Sequence, residues 1–275
     1  MQQRSLGRTG WNISEISCGT YRSFDLPGSA GLAHVNSLMQ ANLDVGVNLV
    51  DTAPMYGHSE ANLGAALGSQ TRREAPRVYL ATKVLQTTLA EAQRQVENSF
   101  TLLGPRIDLL QIHNMAGWRE ILPWLGELRQ SGRIGAVGIT HYDPSAFGEI
   151  EAAMRTGIPD VIQVPWNLME RKVERRLVPL ADALNLGVLV MTPLQPIFKR
   201  QSLLQKLAGL DLTPFRPYGI QDAGGLCLKW LLDRHPRIVL LPATSQPERV
   251  RTNAAVSGQP PLPPELVAQV ERWIS

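Results

Sequence analysis

The chain has 275 residues, of which 44% are hydrophobic and 19% are charged, with 23 glycines and 20 prolines spread along it. This composition is typical of a globular protein and argues against a disordered or collagen-like chain. The formal net charge is +3, but Lys and Arg are scattered and form no long run, so the charge does not indicate a nucleic-acid-binding tail.

The two cysteines, Cys18 and Cys227, form neither a Cys-x-x-Cys pair nor the spacing of a small secreted protein. We therefore predict two buried, reduced thiols in a cytoplasmic protein. The N-terminus has no apolar stretch that resembles a signal peptide, and no apolar run is long enough to span a bilayer. We expect no membrane, nucleic-acid or metal partner.

The predicted elements begin with a short hairpin over residues 6–11, where glycines supply the turn. Apolar, strand-like runs then alternate with stretches of helical periodicity, such as residues 89–103 and 121–128, and the chain ends with a predicted helix over residues 263–275. The predicted strands span residues 13–19, 47–52, 78–83, 107–113, 135–140, 161–166, 187–192 and 238–243.

Eight strands with helices between them predict an α/β protein, specifically a (β/α)8 TIM barrel, folded as a single domain over residues 1–275. From the second strand to the seventh, the strand ends recur every 26 to 32 residues, which is the length of one strand, one helix and two short loops. The seventh unit is longer. We expect its extra segment, residues 195–220, to cover the mouth of an active site.

Four ionisable side chains stand at or just after the ends of consecutive predicted strands. Asp51, Lys83 and His113 end the second, third and fourth strands, and Tyr56 follows Asp51 in the next loop. Because the carboxyl ends of barrel strands meet at one rim, we expect these side chains to lie close together. Each alone has an ordinary explanation, such as a loop-capping carboxylate or a solvent-facing lysine, but the set indicates one catalytic site.

The chemistry of these four residues suits a proton donor for an alkoxide. Tyrosine has a pKa of about 10, and a nearby ammonium lowers that pKa, so Lys83 would have this effect on Tyr56. Asp51 would hold Lys83 charged and oriented. His113 would hydrogen-bond a carbonyl oxygen at the same point.

The segment after the last predicted strand has the features of an anion site. Thr244 and Ser245 lead into a helix start, whose free backbone N–H groups favour an anion, and loops after the last two strands of barrels commonly bind phosphate. Arg249 and Arg251 add guanidinium groups that suit phosphate. A capped surface helix with solvated arginines is the alternative interpretation.

The chain resembles the aldo-keto reductases, through DTAPMYGHSE at residues 51–60, ATKV at 81–84, QIH at 111–113 and LGRTG at 6–10. The resemblance extends from residue 4 to about residue 256. It implies a (β/α)8 reductase that uses a nicotinamide cofactor.

By the same resemblance, the catalytic residues are Tyr56 as the proton donor, Lys83 as the group that lowers its pKa, Asp51 as the partner of Lys83, and His113 as the group that orients the carbonyl. All four positions are retained in this sequence.

The resemblance also implies a cofactor site. The nicotinamide carboxamide would be held by Thr140, His141 and Gln163, although the family's usual Ser-Asn pair is here Thr140-His141. The full set of expected cofactor-binding residues is Thr20, Tyr21, Asp51, Thr140, His141, Gln163, Thr192, Pro193, Leu194, Thr244, Ser245, Arg249 and Asn253.

The identity of the cofactor is less strongly marked. Many relatives that prefer NADP have a lysine where Ala243 stands and a glutamate where Thr252 stands, and only Arg249 is retained here. We expect NADPH (NADP) to be preferred, with NADH possible.

Aromatic side chains near the predicted strand ends are candidates for an apolar substrate pocket. The candidates are Phe24, Trp118, Trp166 and Phe198, together with Tyr21, and packing at the rim is an equally good explanation for each. The sequence lacks the long tail that shapes steroid pockets in some relatives. We therefore expect a small-molecule carbonyl substrate, an aldehyde, ketone or sugar, rather than a steroid.

Two other functional classes remain open. A Schiff-base aldolase also uses a lysine on a barrel strand, so Lys83 alone is ambiguous; Asp51 and Tyr56 beside it favour a lysine that stays charged. The same fold can also serve as a cofactor-sensing binding module.

Overall fold

The computed structural model describes residues 1–69, 77–196 and 202–274, which form a two-stranded and an eight-stranded sheet. The strands are β1 (Gln3–Ser5), β2 (Asn12–Ser14), β3 (Cys18–Gly19), β4 (Leu49–Asp51), β5 (Tyr79–Val84), β6 (Ile107–His113), β7 (Ile134–Thr140), β8 (Val161–Pro165), β9 (Gly187–Met191) and β10 (Ile238–Leu240).

Helices alternate with the strands of the larger sheet. They are α1 (Gly28–Asp44), α2 (Ser59–Ser69), α3 (Leu89–Leu103), α4 (Trp118–Gln130), α5 (Phe147–Met154), α6 (Leu177–Ala183), α7 (Leu203–Leu207), α8 (Ala223–Arg234), α9 (Pro247–Ala254) and α10 (Pro264–Ile274).

The larger sheet is a closed parallel barrel. Its strands follow chain order from β3 to β10, and every neighbouring pair is parallel. Parallel bridges from Ile16 to Leu240 and from Gly19 to Ala243 join the first strand to the last, with the Ser17 amide donating to the Leu240 carbonyl at 2.8 Å. The (β/α)8 prediction is confirmed, as are the N-terminal hairpin and the C-terminal helix.

The largest difference from the predicted strands is at residues 13–19, which we predicted as one barrel strand. Its start belongs to β2, which pairs antiparallel with β1, and only its end, β3, belongs to the barrel. Between them Glu15 is buried and accepts a hydrogen bond from Arg4 Nε at 2.8 Å. The apolar pattern runs on through both strands, but the pairing partner changes, and periodicity carries no information about the partner.

The interior of the barrel is a separate apolar cluster. Each strand from β4 to β10 contributes one residue to it, namely Leu49, Ala81, Leu109, Ala136, Val161, Leu189 and Val239. Leu6 and Ile13 of the hairpin join this cluster, and Leu6 packs on Gly187, the first residue of β9. The hairpin therefore covers the amino end of the barrel and leaves the carboxyl end for the site.

The helices form the outer layer, and α3 shows the apolar face by which such a helix packs on the sheet. In α3 the buried residues Ala92, Val96, Ser99 and Leu103 recur at helical spacing, and Thr88 caps its start by accepting from the Glu91 amide. The two cysteines are free and buried, as predicted. Within the described part of the chain, no helix combines the length and the apolar character needed to cross a bilayer.

The described part of the extra segment after β9 packs on the outer side of the barrel. Trp273 Nε1 of α10 donates to the Lys206 carbonyl at 2.8 Å, and Lys206 Nζ donates to the Ile274 carbonyl at 3.2 Å. Phe198 and its neighbours, which we expect near the active-site mouth, lie outside the described residues.

Candidate active site

Lys83 and Asp51 form a buried ion pair at the carboxyl end of β4 and β5. Both lie two residues beyond the apolar layer of their strands, and since alternate strand residues share a face, both point into the barrel. Lys83 Nζ donates to Asp51 Oδ2 at 2.6 Å and to the Thr52 carbonyl at 2.8 Å. Lys83 is only 1% exposed, so its charge is held by oxygens of the protein.

Gln111 of β6 completes this pair and is not among the residues predicted from the sequence. Its Nε2 donates to Asp51 Oδ1 at 2.9 Å, so both carboxylate oxygens of Asp51 have a partner. The sequence contains a clue to this role. Side chains on a strand alternate between its two faces, and Gln111 stands two residues before His113, so both point to the same side.

The turn after β4 brings Tyr56 over the ion pair. The Tyr56 amide donates to the Ala53 carbonyl at 3.0 Å. Lys83 Nζ lies 5.0 Å from the centroid of the Tyr56 ring, and the His113 ring is 6.1 Å from it at an interplanar angle of 86°. The four residues of the predicted tetrad are thus neighbours in one small volume.

Burial and charge act in opposite directions on Tyr56. Burial raises the pKa of Tyr56 above 10, and Asp51 adds to this, while the Lys83 charge and its hydrogen bond to Tyr56 lower it. The net direction is upward, which differs from the expectation, because desolvation outweighs the ammonium. Tyr56 is therefore a protonated phenol at neutral pH.

Lys83 and His113 have opposite protonation states. Burial alone would lower the pKa of Lys83, but attraction by Asp51 and Tyr56 outweighs burial and raises it. Burial, followed by repulsion from Lys83 and His141, lowers the pKa of His113 to about 3. The site therefore holds a charged lysine beside a neutral imidazole.

Tyr21 and Thr20, in the loop after β3, flank the tetrad. The Tyr21 ring packs edge-on against Tyr56 with centroids 5.0 Å apart, and Tyr21 is 54% exposed. The Thr20 amide donates to the Asp51 carbonyl at 3.0 Å, while its buried hydroxyl has no hydrogen-bond partner among the described residues.

The residues expected to hold a carboxamide lie side by side on β7 and β8. Thr140 pairs with Gln163 in the ladder, and Thr140 Oγ1 donates to Gln163 Oε1 at 3.4 Å. Gln163 Nε2 is buried and has no partner in the described part of the chain. An amide donor in this state suits the carbonyl oxygen of another amide.

His141 extends this row. Its Nδ1 accepts from the Asp143 amide at 2.9 Å, so in the neutral ring the proton lies on Nε2. Burial lowers the pKa of His141, with Asp143 acting the other way. Where the family usually has asparagine, this chain thus offers an imidazole N–H donor.

Backbone strain concentrates at the same rim. Non-glycine residues with left-handed φ include Arg22, Asn114, Met115 and Thr192, and each follows a barrel strand at its carboxyl end. Such conformations cost of order 1–3 kcal/mol each and cluster at functional sites. Thr192, which precedes the expected cofactor residues Pro193 and Leu194, also has a buried hydroxyl with no partner among the described residues.

The predicted anion segment lies at the start of α9. Thr244 Oγ1 accepts from the Gln246 amide at 3.2 Å, Arg249 Nε donates to Gln246 Oε1 at 2.9 Å, and Asn253 is buried further along the helix. His34 of α1, which is not among the predicted cofactor residues, lies near this segment: its Nε2 is 2.9 Å from the Ser245 carbonyl oxygen.

The aromatic residues proposed for the substrate pocket differ in where they lie. Phe24, Trp118 and Trp166 are all buried in the helix-facing core. Trp166 Nε1 donates to Glu174 Oε1 at 3.0 Å, and Trp118 Nε1 donates to Glu149 of α5. Among the aromatic candidates in the described part of the chain, Tyr21 is the one whose ring packs against Tyr56.

The fold and the site together define a (β/α)8 barrel with a Tyr-Lys-Asp-His constellation at its carboxyl rim. The family model for aldo/keto reductases matches residues 15–207. The chain belongs to the aldo/keto reductase family, a family of oxidoreductases that act on carbonyl compounds.

Relatives agree with this assignment. An NADH-specific methylglyoxal reductase from Escherichia coli (strain K12) is 25% identical over 311 residues, covering 93% of each chain. An aldo/keto reductase from Klebsiella pneumoniae, solved in complex with NADP and acetate, superposes with a TM-score of 0.81 at 25% identity, covering 99% of this chain and 95% of that one. A glycerol dehydrogenase from Gluconobacter oxydans shares the fold, with a TM-score of 0.77 at 23% identity and coverage of 99% and 95%.

Proposed function

We propose that this protein reduces an aldehyde or ketone to an alcohol with a nicotinamide cofactor, and catalyses the reverse reaction, with Tyr56 as the proton donor. The observation that carries the proposal is the contact of a protonated Tyr56 with a charged Lys83 and a neutral His113. A reduction consumes a proton at oxygen, and the site presents a phenol there.

The residues at the rim fit a nicotinamide cofactor. The unpartnered amide donor of Gln163 suits the carboxamide oxygen, with Thr140 and His141 beside it, and Thr20, Tyr21, Asp51, Thr192, Pro193 and Leu194 are the further expected contacts. Thr244, Ser245, Arg249 and Asn253 would hold the adenosine phosphate. When bound, the cofactor supplies the hydride that the substrate carbon accepts.

Each member of the tetrad has a separate role. Tyr56 gives its proton to the oxygen of the reacting carbonyl. Lys83 stays charged through Asp51 and favours the phenolate that forms, and Asp51 is itself held by Gln111. His113, being neutral, donates one hydrogen bond that orients the carbonyl oxygen.

Tyr56→Phe is the direct test. Removing one hydroxyl removes the proton donor but leaves the cofactor contacts, so we expect turnover to fall by at least about 100-fold while cofactor binding is retained. The measurement is NADPH oxidation with a panel of aromatic aldehydes, dicarbonyls, sugars and quinones, with cofactor affinity followed by fluorescence titration. An undiminished rate in the variant refutes the role of Tyr56.

NADPH is the proposed preferred cofactor, and the relatives do not agree on this point. The Escherichia coli relative is NADH-specific, whereas the Klebsiella pneumoniae structure contains NADP. Arg249 at the start of α9 is the side chain that supports NADPH. Michaelis constants for both cofactors decide the matter, and a lower value for NADH contradicts the preference.

Lys83 is poorly suited to a Schiff-base aldolase. Its Nζ donates to Asp51 and to the Thr52 carbonyl, and its pKa is raised, whereas a Schiff base requires a neutral amine. Borohydride trapping on a carbonyl substrate would reveal such an activity.

A further inference from the structure

Asp25 links the loop after β3 to the loop that carries Tyr56. Its Oδ1 accepts from the His58 amide at 2.8 Å and lies 2.9 Å from His58 Nδ1. Since an ionised carboxylate only accepts, Nδ1 is the donor. His58 immediately precedes α2, so Asp25 supplies an acceptor at a helix start from a different loop.

Gly57 allows this contact. It adopts a left-handed φ of 58°, and a Cβ built on it would collide with the Asp25 carboxylate. The carboxylate therefore lies directly on the residue that follows Tyr56. A larger residue at position 57 would displace the carboxylate and strain the backbone.

A second side chain holds the same two loops together. Asn62 Nδ2, in the first turn of α2, donates to the Phe24 and Leu26 carbonyls, both at 2.8 Å. These carbonyls flank Asp25 in the chain. Of these two sets of side-chain hydrogen bonds, the one made by Asp25 lies closer to Tyr56 in the chain, at His58.

Tyr21 lies in the same loop as Asp25, between β3 and α1. The Tyr21 ring reaches Tyr56 at 5.0 Å although Tyr21 is 54% exposed, so more than half of this side chain is open to solvent. Arg22, next to it, has a left-handed φ of 62°. On the near side, the Ser23 and Phe24 amides hold the loop by donating to the Thr20 carbonyl. Asp25, three residues beyond Arg22, attaches the loop to the segment that follows Tyr56.

We propose that Asp25 is a positioning residue: by packing on Gly57 and accepting hydrogen bonds from His58 it fixes the Tyr56 turn and keeps the Tyr21 ring against the Tyr56 phenol. This inference rests on the proposed function of Tyr56. The His58 amide lowers the pKa of Asp25, so the carboxylate form is present wherever the enzyme operates at neutral pH.

The test compares three variants of the full chain. Asp25→Ala removes the acceptor, and we expect kcat for carbonyl reduction to fall about tenfold or more, since small misplacements of reacting groups have effects of this size, with cofactor affinity unchanged. Asp25→Asn keeps an oxygen for the His58 amide and restores most of the rate. Asp211→Ala is the matched control, because Asp211 also accepts from a backbone amide, that of Thr213 at 2.9 Å, on the exposed surface; it leaves kcat unchanged.

A second measurement does not depend on turnover. The Tyr56 phenol is titrated by the tyrosine ring carbon signal in NMR, assigned by its loss in Tyr56→Phe. Burial raises the pKa of Tyr56, so loosening the loop in Asp25→Ala admits water and moves that pKa down towards 10. Asp211→Ala leaves it where it is in the unmodified protein.

The outcomes separate the two proposals. If the unmodified protein reduces carbonyls and Tyr56→Phe does not, but Asp25→Ala keeps both kcat and the Tyr56 titration, the positioning role is overturned and the proposed function stands. If no carbonyl is reduced by the unmodified protein, the proposed function fails, and the shift of the Tyr56 titration in Asp25→Ala still decides the role of Asp25.

Discussion

Lys83 and His113 show how one small volume sets opposite protonation states. Burial penalises the charged form of both, but Lys83 has a carboxylate and a carbonyl within hydrogen-bond distance, whereas His113 Nδ1 has no partner among the described residues. The pKa of Lys83 is therefore raised and that of His113 lowered. The two pKa values thus shift in opposite directions because the two side chains have different hydrogen-bond partners, and not because one is buried and the other is exposed.

The depressed pKa of His113 predicts an effect on acid stability. Between its ordinary pKa of 6.5 and its folded pKa of about 3, the unfolded chain binds a proton that the folded chain does not. Stability is therefore lost as the pH falls through this window. His113→Gln removes this contribution, and we expect its urea-unfolding free energy to fall less steeply, by up to about 1.4 kcal/mol per pH unit. Equal slopes in both proteins would contradict the buried, neutral state.

Removing the charge of Lys83 tests the balance at Tyr56. Lys83 acts to lower the pKa of Tyr56 and is outweighed, so Lys83→Met raises that pKa further. We expect carbonyl reduction to fall by about 100-fold or more and the alkaline limb of the pH profile to move upward. An unchanged profile and an unchanged Tyr56 titration would show that Lys83 does not tune the phenol.

At the scale of elements, strand parity explains why the tetrad converges. Asp51, Lys83 and Gln111 each stand two residues beyond an interior apolar residue of their strands. The parallel register pairs Lys83 with Gln111 and Asp51 with Ala81, two residues before Lys83, so the three side chains point into the barrel near the same rim. The same parity sends Trp166 outward, since it lies an odd number of residues from Gln163. A position near the end of a strand therefore does not by itself show that an aromatic side chain lines the active-site mouth.

The packing of α2 on α3 offers a matched pair of glycine substitutions. A Cβ on Gly64 would collide with the Leu102 carbonyl of α3, whereas a Cβ on Gly68 of the same helix meets nothing within 4 Å. We expect Gly64→Ala to destabilise by about 1–3 kcal/mol and Gly68→Ala to stabilise by about 0.5–1 kcal/mol, as measured by urea unfolding. Equal effects would show that the two helices do not meet at Gly64.

At the scale of the whole molecule, stability and activity are placed at opposite ends of the barrel. The hairpin packs Leu6 into the amino end, while the strained loops and the tetrad lie at the carboxyl end. Barrel enzymes commonly separate the two in this way. Changes at the hairpin are therefore expected to affect folding and not chemistry.

Leu6→Ala tests this separation. Leu6 is fully buried, so its truncation leaves a cavity and costs about 2–5 kcal/mol in the free energy of unfolding. The folded variant keeps its kcat. The control is Leu102→Ala, at a leucine that is 36% exposed, for which a cost within about 0.5 kcal/mol is expected. A large fall in kcat with little loss of stability would reverse this assignment.

Much of the fold was predictable because strands buried on both faces are near-continuous apolar runs. Strands β5 to β9 lie within one residue of their predicted bounds. The prediction was poorest at the start, where residues 13–19 serve two sheets, because local pattern does not specify which strand pairs with which. It was equally poor for Trp118 and Trp166, whose partners Glu149 and Glu174 lie on neighbouring elements.

Local periodicity and residue type were enough to predict the alternation of strands and helices, the polar residues at three strand ends, and Tyr56 in the loop after the first of these ends. Packing of distant segments was needed to establish which way Tyr56 titrates, that Gln111 holds Asp51, and that Asp25 lies on Gly57. Each of these depends on burial or on a contact between distant segments. Desolvation and pairing are properties of the packed barrel, and they have no counterpart along the chain.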